Sequence, residues 1–310
     1  MSSLLSGIIA APFTPFHENG AVNLAPIAQY AERLATDGVA GAFVCGTTGE
    51  GSSLTESERR DVAGAWCARR PKGLKVIVHV GHNSRHESVA LAAHAQDHGA
   101  DAIAALAPSF FRPSSIDDLI AWCVPVAAAA PRIPFYYYHM PAMAGSDFPM
   151  ADFLPRAAAQ IPNLGGIKFT HENLMDYGLT LGAAKDRYAI LAGRDEILLS
   201  FLALGASGAV GSTYNYAAPI FTRLIAAYRT HDLEQAQQLQ AFVRRFVALM
   251  IKSGGMAANK ALMGLATGIE CGPVRSPLRP LTRAEVEAFR VALEQGGVFS
   301  ALQDARQSRG

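Results

Sequence analysis

Leu164-Gly-Gly-Ile-Lys-Phe-Thr170 reads as a short buried strand: apolar residues, two glycines and one lysine near its end. A lysine inside an apolar strand is costly, because burial disfavours the ammonium form and lowers the amine pKa. A neutral amine is a nucleophile, and an amine with a ketone gives an imine. Two readings of Lys168 are open at this point: an imine-forming nucleophile, or a lysine snorkelling off a strand end into water. The rest of the chain decides between them.

Outward from this stretch, buried strands recur about every 30 residues, the spacing of βαβ units. They are Gly7–Ala11, Ala40–Cys45, Leu74–Val80, Ala102–Ala107 and Ile133–His139 before it, then Tyr188–Ala192 and Ala206–Val210 after it. Helical patterns lie between them. Leu24–Asp37 carries Ile27, Tyr30, Ala31 and Leu34 at helical spacing, with Gly38 as a C-cap. Thr55-Glu-Ser-Glu58 is a capping box that opens a helix to about Arg69, and Ser84 opens the next, which ends at Gly99. Ile116–Ala130 is a further helix. Eight such units within residues 1–220 predict an α/β fold, a (β/α)₈ TIM barrel. The runner-up, a doubly wound open sheet, lacks a GxGxxG after the first strand.

From about Ile220 the pattern is helical only: Glu234–Lys252, Ala257–Thr267 and Thr282–Glu294, with the Pro-rich Gly272–Pro280 between the last two. Residues 221–310 are therefore expected to form a C-terminal helical extension packed on the barrel. The polar end, Gln303–Gly310, is expected to fray.

Composition excludes several classes of function. Half of the 310 residues are hydrophobic and 17% are charged, so a large core can form, and a net charge of +1 without a basic stripe argues against nucleic acid. No apolar run is long enough to span a bilayer. Met1–Gly7 shows no basic segment followed by an apolar one, so the expectation is a cytoplasmic protein with no membrane partner. Cys45, Cys67, Cys123 and Cys271 are far apart and without CxxC spacing, as expected of reduced, mostly buried thiols. His79, His82 and His86 are the closest histidines but form no HExxH pattern, and no metal site is expected.

Residues just after the strands of such a barrel line one face, where catalysis takes place. The second strand brings Thr47, Thr48 and Glu50 to that face, and the fifth brings Tyr138 and His139. Lys168 and Thr170 follow from the sixth, Gly193, Asp195 and Glu196 from the seventh, and Gly211, Ser212, Thr213 and Tyr214 from the eighth. Gly46-Thr-Thr-Gly-Glu50 can tighten and present backbone N–H groups to a carboxylate, or be an ordinary strand-to-helix turn capped by Thr. In Phe135-Tyr-Tyr-Tyr-His139, Tyr136 and Tyr138 share one side and Tyr137 the other. One of the three can shuttle a proton beside the lysine, and at least one fills core. Asp195-Glu196 suits sugar hydroxyls, and equally suits a helix N-terminus.

Together these motifs carry a resemblance. Gly46-Thr-Thr-Gly-Glu50, Tyr138 before Pro141, Gly166-Ile-Lys168 and Gly208-Ala-Val-Gly211 resemble the family of pyruvate-dependent, Schiff-base-forming (β/α)₈ lyases that includes dihydrodipicolinate synthase and N-acetylneuraminate lyase. The likeness runs from about Gly7 to about Pro280. Tyr136–Gly145, Gly166–Thr170 and Gly211–Tyr216 look like the N-acetylneuraminate lyase branch, particularly its animal type. Two departures separate the chain from the synthase branch. Met143 stands where that branch has an arginine, and Phe110 and Phe111 stand where it has a tyrosine that reaches a neighbouring subunit's site. Thr47 replaces the serine of the bacterial lyases, with the hydroxyl kept.

The resemblance implies a class I aldolase that cleaves N-acetylneuraminate, a sialic acid, to pyruvate and N-acetylmannosamine. Lys168 would form the imine. Tyr138, with Thr47, would take the proton from the C4 hydroxyl, helped by the substrate carboxylate. Thr47 and Thr48 would hold that carboxylate through backbone N–H groups, and Thr170, Gly193, Asp195, Glu196 and Ser212 would bind the sugar hydroxyls. The imine serves as electron sink, so neither metal nor organic cofactor is expected, and a homotetramer is. Two alternatives remain: a pyruvate-dependent aldolase or dehydratase acting on another 2-keto-3-deoxy sugar acid, and a non-catalytic sensor of pyruvate or sialic acid.

Overall fold

A computed structural model describes residues 4–307. Eight parallel strands close into a barrel in chain order: β1 Gly7–Ala10, β2 Gly41–Val44, β3 Lys75–His79, β4 Ala102–Ala105, β5 Phe135–His139, β6 Leu164–Phe169, β7 Ala189–Ala192 and β8 Gly208–Gly211, with β8 pairing back to β1. The helices are α1 Ile27–Thr36, α2 Glu56–Arg69, α3 Arg85–Asp97, α4 Ile116–Ala128, α5 Pro141–Ala144, α6 Met150–Ala158, α7 Leu174–Ala184, α8 Leu198–Ala203, α9 Tyr214–Arg229, α10 Leu233–Lys252, α11 Met256–Thr267, α12 Arg283–Gln295 and α13 Val298–Gln307. The eight expected strands and the barrel are all present, each strand within three residues of its expected bounds. The strand expected to reach Ala107 stops at Ala105 because the Leu106 N–H donates to His79 Nε2 (3.3 Å) instead of the ladder.

Alternation along the strands separates two apolar layers. Ile9, Phe43, Ile77, Tyr136, Tyr138, Leu191 and Val210 fill the barrel interior. Val44, Val76, Phe135, Tyr137, Ile167 and Phe169 face the surrounding helices. The three tyrosines divide as alternation requires, Tyr136 and Tyr138 inward and Tyr137 outward.

Strand β6 breaks this alternation once. Phe135 pairs with Leu164, but Tyr136 pairs with Gly166, so Gly165 is an extra residue in β6. Leu164, Ile167 and Phe169 all belong to the outer layer. With strict alternation Leu164 and Lys168 would share a face; the bulge reverses the phase between them, and Lys168 turns inward. The two glycines make this possible. A Cβ on Gly165 would lie 2.7 Å from the Tyr136 ring, and one on Gly166, at φ +147°, would lie 1.9 Å from the Ala189 carbonyl oxygen.

Helix α9 spans residue 220 without a break, and α10 to α13 follow as the C-terminal extension, α10 packing along α9. The expected fraying of Gln303–Gly310 is corrected as far as Gln307. α13 buries Leu302 and Ala305, and Arg306 donates to the Tyr216 carbonyl at 2.9 Å, so the segment stays helical. Residues 308–310 lie outside the described ones.

Gly166→Ala should cost on the order of 2–3 kcal/mol, since the added Cβ meets backbone that cannot yield. A thermal unfolding midpoint within about 1 °C of wild type would show that β6 and β7 can separate without loss.

Candidate active site

Lys168 sits at the C-terminal end of β6, 4% exposed, and pairs in register with Tyr138 on β5 and Leu191 on β7. Its Nζ lies 3.9 Å from the centroid of the Phe43 ring and 3.9 Å from that of the Tyr138 ring. These rings meet edge to face at 76°, so the amine occupies the corner between them. Burial lowers the Lys168 pKa from its ordinary value, opposed by the neighbouring Tyr138 hydroxyl and Asp195. The snorkelling reading is thereby excluded, because the amine points into the barrel and not to water.

Tyr138 and Thr47 stand together, their hydroxyl oxygens 3.3 Å apart, and the Tyr138 hydroxyl also lies 3.0 Å from Met140 Sδ. Thr47 is carried by the turn after β2. That turn folds back tightly, with the Gly51 N–H donating to the Gly46 carbonyl at 3.0 Å and Cys45 and Glu50 both in the left-handed region. Among the described residues, neither the Thr47 nor the Thr48 N–H donates to another backbone carbonyl. These donors therefore suit an anion.

Glu50, grouped by sequence with the strand-end residues, does another job. Its carboxylate accepts from Lys260 Nζ of α11 at 2.8 Å, with both side chains 1% exposed, and from the Arg275 N–H at 2.8 Å. Arg275 also forms a bidentate pair with Glu58 of the expected capping box. The extension thus fixes the turn that carries Thr47 and Thr48.

A cavity of about 230 Å³ brings together Thr47, Thr48, Tyr138, Lys168, Thr170, Gly193, Asp195, Glu196 and Ser212. All nine residues to which the resemblance assigns catalytic or binding roles therefore line one space, whereas Glu50, His139 and Tyr214 of the strand-end group do not. Thr170 Oγ1 is buried there with no hydrogen-bond partner. Asp195 is also buried. Its Oδ2 accepts from the Thr213 N–H (2.9 Å) and hydroxyl (2.7 Å), while Oδ1 has no partner. A Cβ at Gly211 would fall 1.6 Å from Asp195 Oδ1, so glycine there makes the space for this carboxylate. Burial pushes its pKa up to about 6, with the Thr213 hydrogen bonds acting in the opposite direction. Glu196 is more open and pairs loosely with Arg194 at 3.7 Å.

Met143 lines the cavity, 60% exposed, so an apolar side chain stands where the synthase branch was read to carry arginine. Phe110 and Phe111 meet edge to face, are 76% and 85% exposed, and do not line the cavity. The sequence reading missed Phe43, Met140 and Arg194, which line or floor the site, and Gln240 and Asn259, which reach it from the extension. Phe43 alone carried a usable signal, as an inward position on β2.

Among the described residues no group of three or more His, Cys, Asp or Glu side chains is placed to hold a metal ion, and no helix is long and apolar enough to cross a membrane. All four cysteines are free, and three are buried.

Residues 4–296 match the model of the dihydrodipicolinate synthetase family. The chain belongs to that family. It is 45% identical over 297 residues to N-acetylneuraminate lyase of Mus musculus, covering 94% of this chain and 93% of that one. It is 42% identical over 312 residues to N-acetylneuraminate lyase of Homo sapiens, covering 99% and 98%. The solved structure of Proteus mirabilis N-acetylneuraminate lyase superposes with a TM-score of 0.92 at 38% identity, over 96% of this chain and 100% of that one. These likenesses bear out the resemblance read from the motifs.

Lys260→Met would leave the Glu50 carboxylate buried without its cation and should cost about 3–5 kcal/mol. Glu50→Gln combined with Lys260→Met should recover most of that loss. Urea unfolding midpoints of the two variants check this; equal losses would show that the pair is not coupled.

Proposed function

We propose that the chain is a class I aldolase that cleaves N-acetylneuraminate to pyruvate and N-acetylmannosamine through an imine at Lys168. One observation carries the reading: a buried, pKa-lowered amine lies beside a Tyr–Thr hydroxyl pair, at one end of a cavity whose other wall holds an unpartnered carboxylate oxygen and the unpartnered Thr170 hydroxyl. The relatives named N-acetylneuraminate lyase supply the substrate.

In this reading the Lys168 amine attacks the C2 ketone of the open-chain sugar acid, and loss of water leaves an iminium ion. Backbone N–H groups of Thr47 and Thr48 hold the substrate carboxylate. The Tyr138 hydroxyl, beside Thr47, relays the C4 hydroxyl proton: it accepts that proton as it passes its own to the substrate carboxylate. The C3–C4 bond breaks, its electron pair moves into the iminium, and N-acetylmannosamine leaves as the aldehyde. The remaining enamine takes a proton at C3, and water releases pyruvate and the free amine. The iminium is the electron sink, and the reading calls for no organic or metal cofactor. Thr170, Gly193, Asp195, Glu196 and Ser212 hold the acceptor's hydroxyls. A sensor has no use for this amine. The reading retains a cytoplasmic homotetramer, which sedimentation velocity tests.

Pyruvate release from N-acetylneuraminate, followed with lactate dehydrogenase, tests the assignment. Wild type should release pyruvate, Lys168→Ala should release none, and Tyr138→Phe should fall by about 10²–10⁴ in rate. Full activity in Lys168→Ala would end the imine mechanism. Release by no variant, with pyruvate still trapped on wild type by borohydride, would move the acceptor to another keto sugar acid.

The raised Asp195 pKa sets a pH window. Its carboxylate is ionised above about 6 and then accepts sugar hydroxyl hydrogen bonds; below about 6 it is protonated and that acceptor is lost. KM for N-acetylneuraminate should therefore rise as pH falls through 6, whereas Asp195→Asn should show a high KM with no inflection there. An identical inflection in Asp195→Asn would assign it to another group.

A further inference from the structure

Two adjacent residues of α11 reach opposite walls of the site. Lys260 grips Glu50 under the Thr47–Thr48 turn, while Asn259 turns toward the end of β8 and donates from Nδ2 to Ser212 Oγ at 3.0 Å. Asn259 is 4% exposed, and its Oδ1 accepts from the Tyr216 hydroxyl at 2.9 Å. A second extension residue does the same for the neighbouring strand end. Gln240 of α10, 1% exposed, donates to the Asp195 carbonyl at 3.2 Å and accepts from the Leu199 N–H at 2.8 Å. Lys168 and Tyr138 receive no hydrogen bond from either residue.

We propose that Asn259 is a positioning residue which aims the Ser212 hydroxyl, and that with Gln240 it makes the C-terminal extension the determinant of how the acceptor's polyhydroxylated tail is held. The polarity of the hydrogen bonds carries this. Tyr216 donates to the amide oxygen, which leaves the amide nitrogen facing Ser212. Ser212 then receives a hydrogen bond on its oxygen, and its own proton stays available to a ligand oxygen in the cavity. Asn259 touches no reacting atom; it acts through Ser212. The imine end of the cavity takes no hydrogen bond from Asn259 or Gln240, so substitution of these two residues acts on the acceptor end. This inference rests on the reading that Ser212 and Asp195 face the acceptor.

The test uses the full chain with Asn259→Ala and Asn259→Asp. The aspartate is nearly isosteric but accepts where the amide donated, so it draws the Ser212 proton away from the ligand, and it carries the test should the alanine variant fold poorly. Two quantities are compared with wild type: KM and kcat for N-acetylneuraminate, and the pyruvate concentration that half-saturates borohydride inactivation. Both variants should raise KM about tenfold with kcat within about twofold, and leave half-saturation by pyruvate unchanged. An unchanged KM, or a parallel loss on pyruvate, would overturn the proposal, the latter showing a merely structural role. Wild-type cleavage of N-acetylneuraminate tests the function reading itself. Should wild type refuse that substrate, the same ratios are taken on the longest polyhydroxy keto acid it cleaves.

Discussion

An amine inside an apolar barrel depends on one inversion of phase. Gly165 adds a residue to β6, and from there to the end of the strand every side chain faces the opposite way from the one that Leu164 alone would set. Lys168 then meets Tyr138 and Phe43 rather than the helices outside. Two positions without Cβ atoms allow it, since both would collide with β5 or β7. The buried amine, its lowered pKa and its place beside Tyr138 all follow from that bulge.

The second constraint is how buried charge is tolerated around it. Glu50 and Lys260 neutralise each other with hydrogen bonds on both sides. Asp195 forms no ion pair, feels Lys168 only at a distance, and is held by Thr213 only through Oδ2. A folded-state pKa of about 6, above the unfolded carboxyl value, means that Asp195 weakens the fold above that pH and ceases to do so as pH falls. On the proposed function, stability is given up at the place where an acceptor is left open. The pairing that compensates lies in the extension, whose Arg275, Lys260, Asn259 and Gln240 brace three of the turns above the barrel.

Much of this was legible in the sequence, for identifiable reasons. The eight strands announce themselves by short apolar runs with turn residues at regular spacing, and Thr55–Glu58 by a local pair of reciprocal hydrogen bonds. Tyr136, Tyr137 and Tyr138 sort by simple alternation. The same rule fails in β6, because an extra residue leaves no mark except two glycines that have several other uses. Asp195 was legible as a mouth carboxylate, but not its bond to Thr213, 18 residues on. Asn259 and Gln240 were not legible at all. Each looks like an ordinary polar residue of an amphipathic helix, and its partner lies more than 40 residues away.

The two rings that enclose Lys168 Nζ bear on a different species from the free amine. Burial penalises an ammonium ion for the strong hydration it gives up. An iminium carbon–nitrogen cation is more diffuse, has one N–H and loses less on leaving water, while the faces of Phe43 and Tyr138 attract any positive charge at that point. On the proposed imine reading the corner therefore selects among cations: burial disfavours the ammonium that would silence the amine, and the rings accommodate the charge that the condensed intermediate must keep.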